Sequence, residues 1–205
     1  MKKDTFKFYN KIYDPLFKKN YTKTSNRGGV SLEVFEKFSS ENNVKVRKVI
    51  DVGCAWGSVL KYWKKKSIKA VGVDVSKVAV KFCTKRGLKS YKMSVTDLSM
   101  FKDNEFDLYM ASDVYEHLRT KDLSYAIEEA KRITKQYLLI RPHPGLDKRG
   151  RRKAKKALHL TVWSLEKWAE FFKDHGLEVM KVDMDDDATC ENVTTYKNVF
   201  LMKIK

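Results

Sequence analysis

The chain has 205 residues, 42% of them apolar and 12% aromatic, which is enough for one packed domain and excludes a disordered chain. Its 43 Lys and Arg against 26 Asp and Glu give a formal charge of +17, which favours solubility and anionic partners such as nucleic acid or phosphorylated small molecules. Three widely spaced cysteines with no Cys-x-x-Cys pair, no apolar run near the roughly 20 residues of a membrane span and no apolar leader after Met1-Lys2-Lys3-Asp4 point to a cytoplasmic protein with no membrane span, disulfide framework or metal site.

In chain order, residues 5 to 41 are aromatic and basic: Phe6, Phe8, Tyr9, Tyr13, Phe17 and Tyr21, then Arg27-Gly28-Gly29. From Ser31 to Phe38 the apolar residues recur at helical spacing, with Ser31 placed as in a capping box. This predicts an N-terminal helical cap over 1–45 on a domain over 46–205. The stretch Lys48 to Ser58 reads as a buried strand, a tight turn through Gly53, Cys54, Ala55, Trp56 and Gly57, and then a helix from Val59 to about Lys66. Ala70 to Val75 is a second strand closed by Asp74, so the unit is βαβ.

The chemistry of that unit is a nucleoside crevice. Gly53 and Gly57 let the backbone approach a ligand where a Cβ would collide, and the free N–H groups of the helix start point into the same space. Asp74, 23 residues beyond Asp51, stands where a carboxylate accepts hydrogen bonds from ribose hydroxyls. A dinucleotide fingerprint requires glycine at the first, third and sixth places; here those are Gly53, Ala55 and Ser58, and there is no Gly-Lys-Ser/Thr phosphate loop.

Further along, Ser76 caps a helix that ends before Gly87, and Ser90 to Met93 is a short strand followed by Ser94-Val95-Thr96-Asp97. Asn104 to Ala111 is the next strand and leads into Ser112-Asp113-Val114-Tyr115-Glu116-His117-Leu118. Ser124 to Thr134 is an amphipathic helix and Tyr137 to Ile140 a buried strand, from which Arg141-Pro142-His143-Pro144 turns out at the ligand-binding end. The basic run 147–156, within a loop over 145–160, reads as a solvated loop or a phosphate-contacting lid. Ser164 starts a helix that Gly176 stops, Asp183 to Asp187 is an exposed turn lacking calcium-ligand spacing, and Val199 to Ile204 is the last strand.

The glycine turn, Asp74, and the Phe106-Asp107-Leu108 strand running into Glu116-His117-Leu118 occur in the order that resembles the class I S-adenosylmethionine-dependent methyltransferases, with Ala55 in place of the middle glycine of their acid-x-Gly-x-Gly-x-Gly motif. The later His159, the Ser164 helix and the Gly176-Leu177 strand resemble the same family. The resemblance implies an α/β, Rossmann-like three-layer sandwich on a mostly parallel seven-stranded sheet with an antiparallel last strand.

It also implies S-adenosyl-L-methionine as cofactor, released as S-adenosyl-L-homocysteine. Asp51, Gly53, Cys54, Ala55 and Gly57 would meet its amino-acid tail, with Arg27 on the carboxylate. Asp74 would hold the ribose, and Val75, Ser94, Val95 and Ser112 would complete the site, Ser94 standing where the family has an acid. The aromatic segment would fold over the cofactor, with Tyr9, Tyr13 or Tyr21 facing the substrate. Where the acceptor needs a base, His117, Glu116 and His143 are the candidates, with His159 beside them.

No Asn/Asp-Pro-Pro-Tyr/Phe follows the fourth strand, which disfavours exocyclic base nitrogens as acceptors. The resemblance fits best a hydroxyl or amine of a small molecule or saccharide, anionic given the charge. A nucleic-acid acceptor, or a non-catalytic cofactor- or nucleic-acid-binding subunit, is the alternative. The oligomeric state stays open.

Overall fold

The computed structural model describes residues 2–21, 27–144, 158–180 and 198–204. The elements are α1 (Lys2–Lys18), α2 (Arg27–Glu41), β1 (Lys48–Val52), α3 (Ser58–Lys65), β2 (Lys69–Asp74), α4 (Lys77–Thr84) and β3 (Ser90–Lys92). Then follow β4 (Phe106–Ser112), a 3-10 turn (Tyr115–His117), α5 (Thr120–Ile133), β5 (Thr134–Arg141), α6 (Leu165–Asp174), β6 (Glu178–Met180) and β7 (Phe200–Lys203). The basic run 147–156, the acidic stretch 183–187 and Cys190 lie outside the described residues.

Seven strands form one sheet in the order β3-β2-β1-β4-β5-β7-β6. The five strands β1 to β5 run parallel, and β7 is antiparallel to both β5 and β6. This is the mostly parallel sheet with an antiparallel last strand that the sequence predicts. The strand order reverses between β1 and β4, so their carboxyl ends flank the crevice where open α/β sheets bind ligands.

Alternate strand residues face opposite layers, because the side-chain period of a strand is two. Ile50, Val52, Tyr109, Ala111, Leu138 and Ile140 pack with α1, α5 and α6 through Tyr13, Phe17, Ala126, Ile127, Trp168 and Phe172. Val49, Leu108, Met110 and Leu139 face the other way, against Phe35 and Phe38 of α2 and Val59 and Trp63 of α3. Apolar side chains on both faces explain why these strands read as continuous hydrophobic runs rather than alternating ones.

Two helix starts match their sequence signals. Ser76 Oγ accepts from the backbone N–H of Val78 and Ala79 at 3.2 and 3.4 Å, and Ser164 Oγ from that of Lys167 at 3.3 Å. Ser31 is different: α2 begins at Arg27, so Ser31 lies inside the helix, fully buried, and its Oγ sits 2.6 Å from Ser112 Oγ at the end of β4. Gly28 permits the earlier start to pack, since a Cβ there would lie 2.4 Å from Val59 Cγ2. Close helix–helix approach outweighs the low helix propensity of the Gly28-Gly29 pair. Likewise α5 begins at Thr120, ahead of Ser124, because Leu123 falls on the same buried stripe as Ala126, Ile127 and Ala130.

Candidate functional site

The turn after β1 is built on left-handed backbone. Gly53, Ala55 and Gly57 have φ of 78°, 46° and 75°. The N–H groups of Gly53 and Cys54 both donate to Val73 O, at 2.7 and 3.0 Å, which folds the turn over the end of β2. A Cβ on Gly57 would lie 2.8 Å from both Cys83 Sγ and Leu88 Cδ1, so α3 starts where only glycine fits. Ala55 keeps the glycine conformation of the motif with a methyl group attached, a strain on the order of 1–2 kcal/mol. The neighbours hold it there: Ala55 N–H donates to Asp74 Oδ2 at 3.0 Å, and Cys83 Sγ donates to Ala55 O at 3.4 Å.

Asp51 and Asp74 face each other across this turn, 5% and 6% exposed, and neither makes an ion pair among the described residues. Asp74 accepts one backbone N–H on each oxygen, from Ala55 and from Ser76 (2.8 Å), which leaves further lone pairs on both. Burial pushes the Asp74 carboxyl up to about 6 against the lowering pull of those bonds. Asp51 rises further, to about 7, through burial first and the nearby Asp74 charge second. Two buried carboxylates at adjacent strand ends make a site that a cationic ligand would relieve.

They open on a cavity of about 860 Å³ between the glycine turn and α1. Asp51, Gly53, Cys54, Ala55, Gly57, Asp74, Val75, Ser94, Val95, Ser112 and His117 all line it. Arg27 is the first residue of α2, and its side chain lies outside what the structure describes. Ser94 is already engaged, with its Oγ 2.8 Å from Thr96 Oγ1 and accepting from Thr96 N–H at 3.2 Å.

Tyr9, Tyr13 and Phe17 of α1, with Tyr21 behind them, form the aromatic roof. Trp56 locks this roof to the turn: its Nε1 donates to Tyr21 O at 2.7 Å, and its ring meets Phe17 at 5.3 Å and Phe82 at 4.7 Å. Sequence reasoning missed Trp56, and also Lys61, Lys64, Lys65 and Arg86, which border the same cavity. The signal for the lysines was present, since 61, 64 and 65 share one face of α3 at helical spacing.

His117 lies at the inner end of the cavity, edge-on to Tyr13 at 5.5 Å between ring centroids. Its Nδ1 is 3.0 Å from Leu158 O and its Nε2 is 3.9 Å from Glu116 Oε1. Glu116 is fully buried behind it and does not line the cavity, and neither does His143. Among the described residues, neither carboxylate oxygen of Glu116 makes a hydrogen bond. The backbone amides of Glu116 and His143 and the Arg141 guanidinium favour its charge without reaching bonding geometry; burial, with Asp113 nearby, outweighs them and pushes the carboxyl well above its ordinary range. Arg141 itself pairs with Asp113, Nη1 to Oδ1 at 2.5 Å. The His159 ring stands between those of His117 and His143, 4.8 and 4.9 Å away.

Residues 50–139 match the family model of a methyltransferase domain. An uncharacterized protein of Methanocaldococcus jannaschii is 41% identical over 66 residues, covering 32% of this chain and 31% of that protein. A ubiquinone biosynthesis O-methyltransferase of Pelagibacter ubique is 27% identical over 106 residues, covering 50% of this chain and 43% of that one. The chain thus spans less than half the length of these curated relatives. A magnesium protoporphyrin IX methyltransferase from Synechocystis PCC 6803, solved with bound SAH, superposes with a TM-score of 0.68 at 12% identity over 98% of both chains, which shows a shared fold.

Proposed function

We propose that this chain, whose residues 50–139 match the model of a methyltransferase domain, is a class I methyltransferase that transfers a methyl group from S-adenosyl-L-methionine to a hydroxyl or amine of a small anionic molecule or saccharide. The observation that carries the reading is the pair of buried carboxylates on one cavity at the strand-order switch point. The cofactor is a nucleoside with a cationic amino-acid tail. Asp74 has free lone pairs for the ribose hydroxyls, Asp51 is placed for the ammonium, and Val75 and Val95 offer apolar walls beside Ser94 for the adenine. The cavity volume lies within the range of ordinary ligand sites, roughly 300–1,000 Å³.

The cofactor supplies a methyl group already activated by a positive sulfur. The chain's own residues orient and shield. The aromatic side chains of α1 and Trp56 cover the cavity and exclude water, and alignment of an acceptor under such a roof supplies up to about 7–11 kcal/mol of barrier reduction. His117 marks the acceptor end, with Glu116 and His143 behind it, out of reach of an acceptor in the cavity. Lys61, Lys64, Lys65 and Arg86 along the cavity border favour an anionic acceptor.

The test is ligand-dependent stability followed by turnover. S-adenosylhomocysteine at 100 times its Kd should add about 2.7 kcal/mol, and NAD should add nothing. Equal stabilisation by NAD, or none by either, sinks the reading. Labelled methyl transfer into pools of small acids, saccharides and RNA then identifies the acceptor class. The net charge of +17 favours RNA as the second reading, which requires binding that weakens steeply with salt.

A further inference from the structure

We propose that Glu116, His117 and His159 form a site for a divalent cation of the zinc type at the inner end of the cavity. One ligand atom from each of the three lies within 4.8 Å of the others, and the residues are 0%, 9% and 5% exposed. Nothing in the local sequence marks such a site, because residues 116 and 117 follow β4 while residue 159 follows β5. The backbone brings them together: the N–H groups of Leu160 and Thr161 donate to Glu116 O at 2.8 and 3.0 Å, and Thr161 Oγ1 donates to Leu118 O at 2.7 Å.

Two observations call for a cation there. The first is the Glu116 carboxylate, wholly buried with both oxygens unbonded among the described residues. Leaving a buried carboxyl group without a hydrogen bond is costly, and among the described residues the guanidinium that bears on it, that of Arg141, is already paired with Asp113. The second is the orientation of His117. A carbonyl oxygen can only accept, so the 3.0 Å contact with Leu158 O places a proton on Nδ1, and in the neutral ring the lone pair is then on Nε2. That lone pair faces Glu116 Oε1 at 3.9 Å, too far to share a proton. A cation with bonds of about 2.0–2.2 Å fills this gap after a small inward movement of the side chains. A histidine whose other nitrogen donates to a backbone carbonyl is the usual outer arrangement of a metal-bound imidazole.

Two imidazoles and one carboxylate select Zn2+ or a first-row neighbour over Mg2+ and Ca2+, which prefer all-oxygen ligands. Three protein ligands leave a coordination position open, and His117 is the ligand on the cavity wall. An acceptor hydroxyl taking that position would have its pKa lowered and lose its proton to water. This role rests on the methyl-transfer reading, whereas the binding site does not.

The experiment uses tag-free protein stripped with EDTA, dialysed against Zn2+ and assayed for bound metal, with S-adenosylhomocysteine calorimetry on the same samples. Wild type should hold one equivalent of zinc, and His159→Gln and Glu116→Gln should each bind it at least about 10-fold more weakly. Because neither residue lines the cavity, both variants should keep their S-adenosylhomocysteine affinity within about twofold. Zinc that wild type does not bind, or that both variants retain, overturns the site. Zinc binding without S-adenosylhomocysteine binding leaves the site standing and sinks the methyl-transfer reading. Should a variant fail to fold, Co2+ loaded into wild type decides: visible d–d bands without thiolate charge transfer support imidazole and carboxylate ligands, and thiolate bands overturn them.

Discussion

The Tyr9 phenol donates a 2.7 Å hydrogen bond to Asp122 Oδ2 and accepts a 2.8 Å one from the backbone N–H of Arg119, which ties α1 to the start of α5. Arg119 Nε closes the group with a 2.6 Å bond to the same Asp122 oxygen. Since α1 lines the cavity through Tyr9, Tyr13 and Phe17, this buried contact fixes one wall of it. Tyr9→Phe should cost about 1–3 kcal/mol at that contact by stranding the Arg119 N–H. The expected result is faster amide exchange over residues 5–18 and weaker S-adenosylhomocysteine binding, with the sheet unaffected. Unchanged exchange would show that the aromatic packing of α1 holds it without Tyr9.

Asp51 gives a pH dependence of definite sign. Its carboxyl rises from 3.8 to about 7 in the fold, so the folded chain holds this proton more tightly than the unfolded chain does. The stability contributed is complete below the unfolded pKa and is lost as pH rises through about 7. Thermal unfolding without ligand should therefore show falling stability between about pH 4 and pH 7, and Asp51→Asn should flatten the slope. A cationic ligand reverses the preference, because its ammonium favours the ionised carboxyl. S-adenosylhomocysteine affinity should accordingly rise over the same interval, and affinity that falls would place the ammonium elsewhere.

Ala55→Gly should stabilise the chain by up to about 1 kcal/mol, because glycine adopts a φ of 46° without the methyl clash. Residue 55 contributes only its backbone N–H to the bond with Asp74 Oδ2, so ligand affinity should be kept. Urea unfolding followed by calorimetry checks both parts. A destabilised variant would mean that the methyl group contributes packing worth more than the strain.

Asp74→Ala should weaken S-adenosylhomocysteine binding by about 1.5–3 kcal/mol, the value of charge-assisted hydrogen bonds to a ribose. It also leaves the Ala55 and Ser76 N–H groups without their acceptor, so Asp74→Asn, which keeps a carbonyl oxygen, is the companion variant. Unchanged Kd in both would remove Asp74 from the ribose site.

The fold was legible where patterns are local. The β1 strand, its turn and Asp74 follow from residues within one βαβ unit, and the cavity gathers Asp51, Gly53, Gly57 and Asp74 as that unit predicts. Ser31 misled because a serine ahead of an apolar stripe looks the same whether it caps a helix or faces Ser112 from inside one. The start of α2 is set by contact with α3, which a one-dimensional pattern does not contain. Trp56 and the approach of His159 to Glu116 and His117 were invisible for the same reason: both depend on segments far apart in the chain packing together.

The Tyr9 anchor and the edge-on contact of Phe17 with Trp56 hold one helix over the cavity. A product held beneath that helix would leave the more slowly the more firmly the helix is anchored. Turnover would then be paced by a gate in the first eighteen residues, and changes there would alter residence time more than the chemistry below.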